Sequence, residues 1–278
     1  MEENEILLPE VVMARPDIFY LPIMLQKLLA LAFTIGCLST LCAQKFPEHR
    51  EPDEARNKGN AILLHVSFAG HIPGGDLADR FGNSLAVGGG LEYITENNWI
   101  LGTEGHYLYG KKVKEDPLKI IRTDAGDIIG KDMLLASVVT RQRGFYIGAV
   151  GGKLLTFKPE SRSGIRLTLA AGLLRHRIRI QDDTRTVTQI TGDYVKGYDR
   201  LTGGLALQQF IGWQHLGKQR RSNWMLGLEL GQGFTRSLRD WDFSERRKLE
   251  GKRLDLRFGI RAAWALPFYQ RKASEIFY

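Results

Sequence analysis

The sequence predicts an all-β fold, an antiparallel transmembrane up-and-down β-barrel of about eight strands. Three observations predict it: short segments alternating apolar and polar residues, connections that alternate in length, and aromatic residues gathered at segment ends. The 278 residues carry 31 Gly, 43% hydrophobic and 10% aromatic residues, with a mean hydropathy of -0.22. Beyond the N-terminal region no apolar run approaches the ~20 residues of a spanning helix, which excludes a polytopic helical membrane protein.

Eight segments read as strands: 61–69 (AILLHVSFA), 85–94 (LAVGGGLEYI), 99–110 (WILGTEGHYLYG), 144–157 (GFYIGAVGGKLLTF), 165–180 (IRLTLAAGLLRHRIRI), 205–216 (LALQQFIGWQHL), 223–235 (NWMLGLELGQGFT) and 254–269 (LDLRFGIRAAWALPFY). A count of ten is the alternative. The segments between them run long, short, long, short, long, short, long; HIPGGDLADRFGNS is the first long loop and TENN the first short turn. Bacterial outer-membrane barrels sort their loops this way, whereas a soluble β-sandwich has no reason to.

Face patterns agree. In 223–235, Trp224, Leu226, Leu228 and Leu230 share one face, against Met225, Gly227, Glu229 and Gly231 on the other. In 254–269, Leu254, Leu256, Phe258, Ile260 and Trp264 oppose Asp255, Arg257, Gly259 and Arg261. Glu92, Glu104 and His106 fall on the polar faces of their segments. Tyr93, Trp99, Trp213, Trp224, Trp264 and Phe268 would form the aromatic girdle at the short-turn end; Phe68, Tyr107, Tyr109, Phe145 and Phe234 would form the opposite one.

The single long apolar stretch, 28–43 (LLALAFTIGCLSTLCA), follows Lys27 and ends in small residues, the layout of a signal peptide cleaved after Ala43. Residues 1–43 are therefore expected to be that signal, with the acidic 1–23 placing the true start at Met24. Residues 44–60 form a polar periplasmic leader, 61–269 the barrel and 270–278 a short tail. An uncleaved anchor is the competing reading, and a lipoprotein at Cys37 is disfavoured by Thr34 and Ile35 before it. Both cysteines, Cys37 and Cys42, leave with the signal, so no disulfide or thiolate metal site is expected in the mature chain. Losing Arg15 and Lys27 with Glu2, Glu3, Glu5, Glu10 and Asp17 raises the net charge from +8 to +11, from 39−2 basic and 31−5 acidic residues. An exported basic chain meets lipid phosphates before nucleic acid, so outer-membrane lipids and lipopolysaccharide are the expected partners, possible further ones being other outer-membrane or periplasmic proteins, with no nucleic acid.

The CAQ cleavage region, the strand alternation over about 61–278 and the aromatic ending IFY resemble the small outer-membrane β-barrels of Bacteroidota-type bacteria, a group that includes accessory barrels of the type 9 secretion apparatus. The resemblance implies residence in the outer membrane and transfers no functional residue. HIPGGDLADRFG and DYVKGYDRLTGG read like family signatures without an attached activity.

The bore of an eight-stranded barrel is filled by side chains, so charges within it must pair. Glu92, Glu104 and Glu229 are expected to meet Arg257, Arg261 and Arg166 there beside His65 and His106, as salt bridges that fix register. Arg175, Arg177 and Arg179 continue the apolar face of Leu169, Ala171 and Leu173 to outer headgroup level, where they could clamp lipid phosphates. The bland reading is a solvated strand extension. Gly88, Gly89 and Gly90 precede no helix and read as curvature or packing residues; Asp199 and Arg200 read as a loop salt bridge. No catalytic set, metal ligand spacing or cofactor is predicted. The function expected is a structural, adhesive, assembly or secretion-accessory role. The alternative is a lipid-modifying hydrolase or acyltransferase using His176, His71, Ser67 and Glu104, and a diffusion pore comes third.

Overall fold

In the computed structural model the described residues are 59–157, 161–217 and 222–270. The expected signal peptide, nearly all of the leader, and the tail beyond Gln270 lie outside them. Eight long strands close a ring: β1 (Ala61–Gly75), β2 (Ser84–Ile94), β3 (Trp99–Gly110), β6 (Val138–Thr156), β7 (Gly164–Asp182), β8 (Thr202–Leu216), β9 (Asn223–Ser237) and β10 (Arg253–Tyr269). Each is antiparallel to its sequence neighbours in the ring, and β10 returns to pair with β1 from Ala61↔Tyr269 to Gly75↔Asp255. The barrel is therefore up-and-down and without an edge. The two remaining strands, β4 (Ile128–Ile129) and β5 (Leu135–Ala136), form a small hairpin in the connection between β3 and β6.

The strands alternate strictly between bore and exterior. On β7, Arg166, Thr168, Ala170, Leu174, His176 and Ile178 are buried while Leu167, Leu169, Leu173, Arg175, Arg177 and Arg179 point out. The exterior is apolar: Leu64, Val66, Phe68, Leu101, Ile147, Leu228, Phe258 and Ile260 all stand exposed. Such a surface suits hydrocarbon rather than water. Trp99, Trp213, Trp224, Trp264 and Phe268 stand outward at the short-turn end, and Phe68, Tyr107, Phe145 and Phe234 outward toward the other. Among the described residues no helix is long and apolar enough to cross a membrane, which says nothing of strands.

The turn at 95–98 shows why one end of the ring is tight. Thr95 and Trp99 close it through Thr95 N to Trp99 O at 2.9 Å and Trp99 N to Thr95 Oγ1 at 3.0 Å. Asn98 supplies the left-handed corner at φ 62, a conformation Asn tolerates.

The other end differs from expectation. β1 runs to Gly75, β6 begins at Val138, β7 ends at Asp182 and β8 starts at Thr202, so the strands overshoot the apolar segments there. The sequence 70–75, expected as loop, stays in the ladder opposite β10, and Pro73 lies beyond the last β1–β2 pair, His71↔Ser84, on a stretch of β1 paired on one side only, where proline is tolerated. Hydrogen bonding continues past the end of the apolar exterior while apolar alternation stops at it. The long connections also hold structure: a short helix at Asp76–Arg80, the β4–β5 hairpin, and a small core of Leu118, Ile128, Val187, Ile190 and Tyr198.

Within the bore an apolar layer of Leu63, Ile94, Ile100, Leu154, Leu216, Met225, Ala263 and Ala265 closes the short-turn end. A second apolar layer, containing Leu108, Tyr146, Val150 and Leu174, lies farther up. Inward glycines make room for large bore residues: a Cβ on Gly88 would come within 2.1 Å of Gly105 O and 2.5 Å of His106 Cδ2. Outward Gly151 has only Leu101 Cδ2 at 4.0 Å. Gly88→Val should therefore cut the yield of refolded, heat-modifiable barrel through overpacking of about 1–3 kcal/mol or more, whereas Gly151→Ala should refold as wild type. Equal yields from the two variants would show that the bore does not need the gap.

Candidate functional site: the bore network, the loop cap and the outer arginine face

Bore residues find partners both on adjacent strands and across strands that are not neighbours in the ring. Arg261 on β10 is the hub: Nε donates to Glu229 Oε2 at 2.5 Å and Nη1 to Glu104 Oε2 at 2.9 Å, and its guanidinium lies 5.3 Å from the Phe210 ring centre. The second oxygen of Glu229 meets His71 Nε2 at 3.0 Å. Gly259 stands between them, in register with His71 on one side and Glu229 on the other. A side chain there would block the contact, since its Cβ would fall 2.5 Å from His71 Cδ2. Ser67 and His106 repeat the arrangement across Gly88, with Ser67 Oγ and His106 Nε2 3.1 Å apart.

Glu92 sits in a separate group, taking Arg166 Nη2 at 2.5 Å, with Arg166 Nη1 on Gln214 Oε1 at 2.9 Å and His65 Nδ1 3.9 Å from Glu92. The residues expected as one network are thus divided. Glu104, Glu229 and Arg261 come together; Glu92 goes with Arg166; among the described residues Arg257 pairs with no carboxylate. Register explains the last: Arg257 stands opposite Gly231, and the carboxylate diagonal to it, Glu229, is already held by Arg261 and His71. Its Nη2 instead donates to Gln208 Oε1 at 3.3 Å, with the guanidinium 5.9 Å from the Tyr146 ring centre.

The residues considered for hydrolysis are not assembled. His71 belongs to Glu229, Ser67 to His106, Glu104 to Arg261, and His176 Nε2 to Asp255 Oδ2 at 2.8 Å, where Thr235 Oγ1 also donates at 2.6 Å. Ser67 and His106 are 1% and 6% exposed, and no described protein atom bonds His106 Nδ1. The pair lacks both a third group to orient the imidazole and a path for substrate. Among the described residues no group of His, Cys, Asp and Glu is placed to hold a metal ion.

The long-loop end is capped by an ion-pair cluster that sequence reading missed, because its members are scattered over all four long connections. Arg200 reaches Glu115 at 3.0 Å, Asp242 at 3.3 Å and Glu245 at 3.4 Å. Arg80 donates to Glu115 at 2.7 Å and to Thr202 Oγ1 at 2.8 Å. Asp199 takes Arg239 through both oxygens, at 2.8 and 2.5 Å. Asp199 and Arg200, expected as a loop salt bridge, each bridge to other loops. Burial pulls the Arg80 guanidinium below its ordinary pKa, with Glu115 opposing; the hydrogen-bonded Asp199 carboxylate raises that of Arg239.

Arg175, Arg177 and Arg179 lie on the outward face of β7, exposed, beyond Leu169 and Leu173. Sequence reading overlooked their counterparts on β6: Arg141 is in register with Arg179 and Arg143 with Arg177. The signal lies in TRQR, the four residues directly before the segment 144–157, where Arg141 and Arg143 alternate.

No family profile and no curated protein matches the sequence. Solved structures of similar shape include Neisserial surface protein A (11% identity, 75% of this chain and 99% of that chain, TM-score 0.40), OprG of Pseudomonas aeruginosa (8%, 77% and 98%, TM-score 0.35) and Ail of Yersinia pestis (10%, 74% and 99%, TM-score 0.34). At such identities and scores no residue's role is taken from them.

Removing Glu229 leaves Arg261 with Glu104 alone and His71 without its partner, in a bore that water does not freely enter. An uncompensated buried charge costs about 3–5 kcal/mol. Glu229→Leu should therefore lower the temperature at which the folded form survives on gels, and Glu229→Gln, which keeps an acceptor, should lose less. Unchanged heat resistance in Glu229→Leu would contradict a register-fixing network.

Proposed function

We propose that the chain is a resident of the bacterial outer membrane, a non-catalytic barrel with a structural, assembly or secretion-accessory role. The observation that carries this reading is the closed eight-stranded ring with apolar side chains outside and Glu92, Glu104, Glu229, Asp255, Arg166, Arg257 and Arg261 inside. Only a barrel surrounded by lipid gains from that inversion, because in water the outward Leu, Ile and Phe would stand unprotected. The filled bore speaks against a diffusion pore, and the capped, ion-paired loops offer a rigid outer surface for contact with other proteins. The secretion-accessory form of the role rests on the sequence resemblance alone. Export by a cleaved signal, and contact of Arg175, Arg177 and Arg179 with lipid phosphates, belong to the same reading. A lipid-modifying enzyme is the weaker alternative, since Ser67 and His106 are its nearest approach to a nucleophile and base and both are shut inside the bore.

Fractionation of the native host tests the proposal. The protein should sediment with the detergent-resistant outer membrane, migrate faster unheated than boiled, and begin at Gln44. Deleting the gene should leave lipid A masses unchanged and alter the recovery of a co-purifying outer-membrane complex. A soluble protein that still carries residues 1–43 would overturn the location, and a lipid A mass shift would favour the enzyme.

A further inference from the structure

The outward charges are distributed unevenly. The carboxylates of Glu92, Glu104, Glu229 and Asp255 all point into the bore, and that of Asp182 at the end of β7 accepts from Val187 N and Thr184 Oγ1 of the following loop, so among the described residues the outward cations of β6 and β7 pair with no carboxylate of the sheet itself. There Arg141 lies directly opposite Arg179 and Arg143 directly opposite Arg177, while Arg175, one row nearer the membrane, faces Phe145. Directly opposed residues stand about 5 Å apart and successive rows about 7 Å, so these arginines root in a compact grid on the strand pair. Like charges directly opposite weaken a strand pair. Two such rows in succession oppose the β6–β7 pairing unless an anion lies between them.

The barrel's own anions do not fill that role. Asp199 comes within 3.7 Å of Arg177 Nη1, yet both of its oxygens are held by Arg239. Arg143 donates to the carbonyl of its neighbour Gln142. Arg141, Arg175 and Arg179 have no ionic or hydrogen-bond partner among the described residues. Beside Arg175 the next strand offers Gly203, whose Cβ would approach Arg175 Cγ to 2.9 Å, and beyond it stands exposed Arg236. The grid is thus open on that side as well.

Its position selects the ligand. Below it the outward face of β7 is Ile165, Leu167, Leu169, Ala171 and Leu173, and that of β6 includes Phe145, Ile147 and Ala149. Nine to eleven tilted residues cross the hydrocarbon, so the arginine rows begin about where acyl chains end. A soluble anion would meet the charges alone; a phosphorylated lipid meets charges and apolar face together. Guanidinium forks match phosphate oxygens two by two and keep their charge at any physiological pH.

We propose that Arg141, Arg143, Arg175, Arg177 and Arg179 form a specific site for a glycolipid carrying closely spaced phosphates, with the opposed pairs Arg141/Arg179 and Arg143/Arg177 gripping them from two strands. The inference rests on the membrane reading above and names the ligand chemistry of one face of that barrel. Native mass spectrometry of the full folded chain in micelles tests it with bis-phosphorylated lipid A, the same lipid dephosphorylated, and inorganic pyrophosphate as the soluble source. Wild type should retain bis-phosphorylated lipid A at least about tenfold better than the dephosphorylated form, and pyrophosphate should not displace it. Each charge is worth a factor of several near an anionic surface, so Arg141→Gln with Arg179→Gln should lower retention about tenfold or more. Lys153→Gln, an outward cation placed over Trp99 at the opposite end, should leave it unchanged. In lipid-free detergent Arg141→Gln should raise the melting temperature by relieving the opposed charges, an effect that a structural role for Arg141 would reverse. Equal retention of the dephosphorylated lipid, displacement by pyrophosphate, undiminished retention by the double variant, or a lowered melting temperature of Arg141→Gln would each overturn the site. Outer-membrane fractionation separates the failures: a chain absent from that membrane refutes the location, whereas a resident barrel with indifferent variants refutes the grid alone.

Discussion

Every feature of this molecule depends on closure of the backbone ring. A strand edge in hydrocarbon would leave a row of N–H and C=O groups with neither protein nor water to bond, and each would cost several kcal/mol. The β1–β10 seam, running fifteen residues from Ala61 to Gly75, removes that edge. Once the ring closes at eight strands, its bore is only wide enough for side chains. Polar residues on the inner face then lie within reach of one another and away from solvent, and their pairing becomes a condition of folding.

That condition is met by bonds that skip a strand. His71 reaches Glu229 over Gly259, and Ser67 reaches His106 over Gly88, so three strands are held in one register by one side-chain contact. Sliding β9 or β10 by a single residue would turn Glu229 or Arg261 outward and bring Leu228 or Ile260 inside. The glycine-rich character of the chain has here a mechanical meaning: small residues in the bore are the openings through which large ones meet.

Much of this was legible in the sequence, for a physical reason. Alternation and turn chemistry are local, and the apolar exterior writes itself into composition, so Trp99–Gly110 and its TENN turn could be placed to the residue. Strand ends at the long-loop side were not legible, because beyond the apolar band the ladder of β6 continues through Arg141 and Arg143 without any demand for apolar residues. Side-chain partners were legible only in kind. Arg261 and Arg257 occupy equivalent diagonals beside Glu229, and which of them takes it depends on the stagger of the ring, not on either strand alone. The cap was invisible, since Glu115, Arg200 and Asp242 are ordinary loop charges until the barrel gathers them at one mouth.

The cap also decides how the outer surface can change over time. Arg200 binds acidic residues from two other connections, and through Glu115 it is tied to Arg80 in a fourth, so the loops of this barrel cannot drift independently as loops commonly do. A charge reversal in one is felt in all. The β4–β5 hairpin is tied in by packing instead, Ile128 lying with Val187, Ile190 and Tyr198 and Lys131 N donating to Thr186 O at 2.8 Å, while its tip, with Met133 at 85% exposure, takes no part in the ion-pair cluster. Sequence novelty, whether arising in an immune contest or introduced by hand as a displayed peptide, has in that tip a place to accumulate while the mouth stays shut.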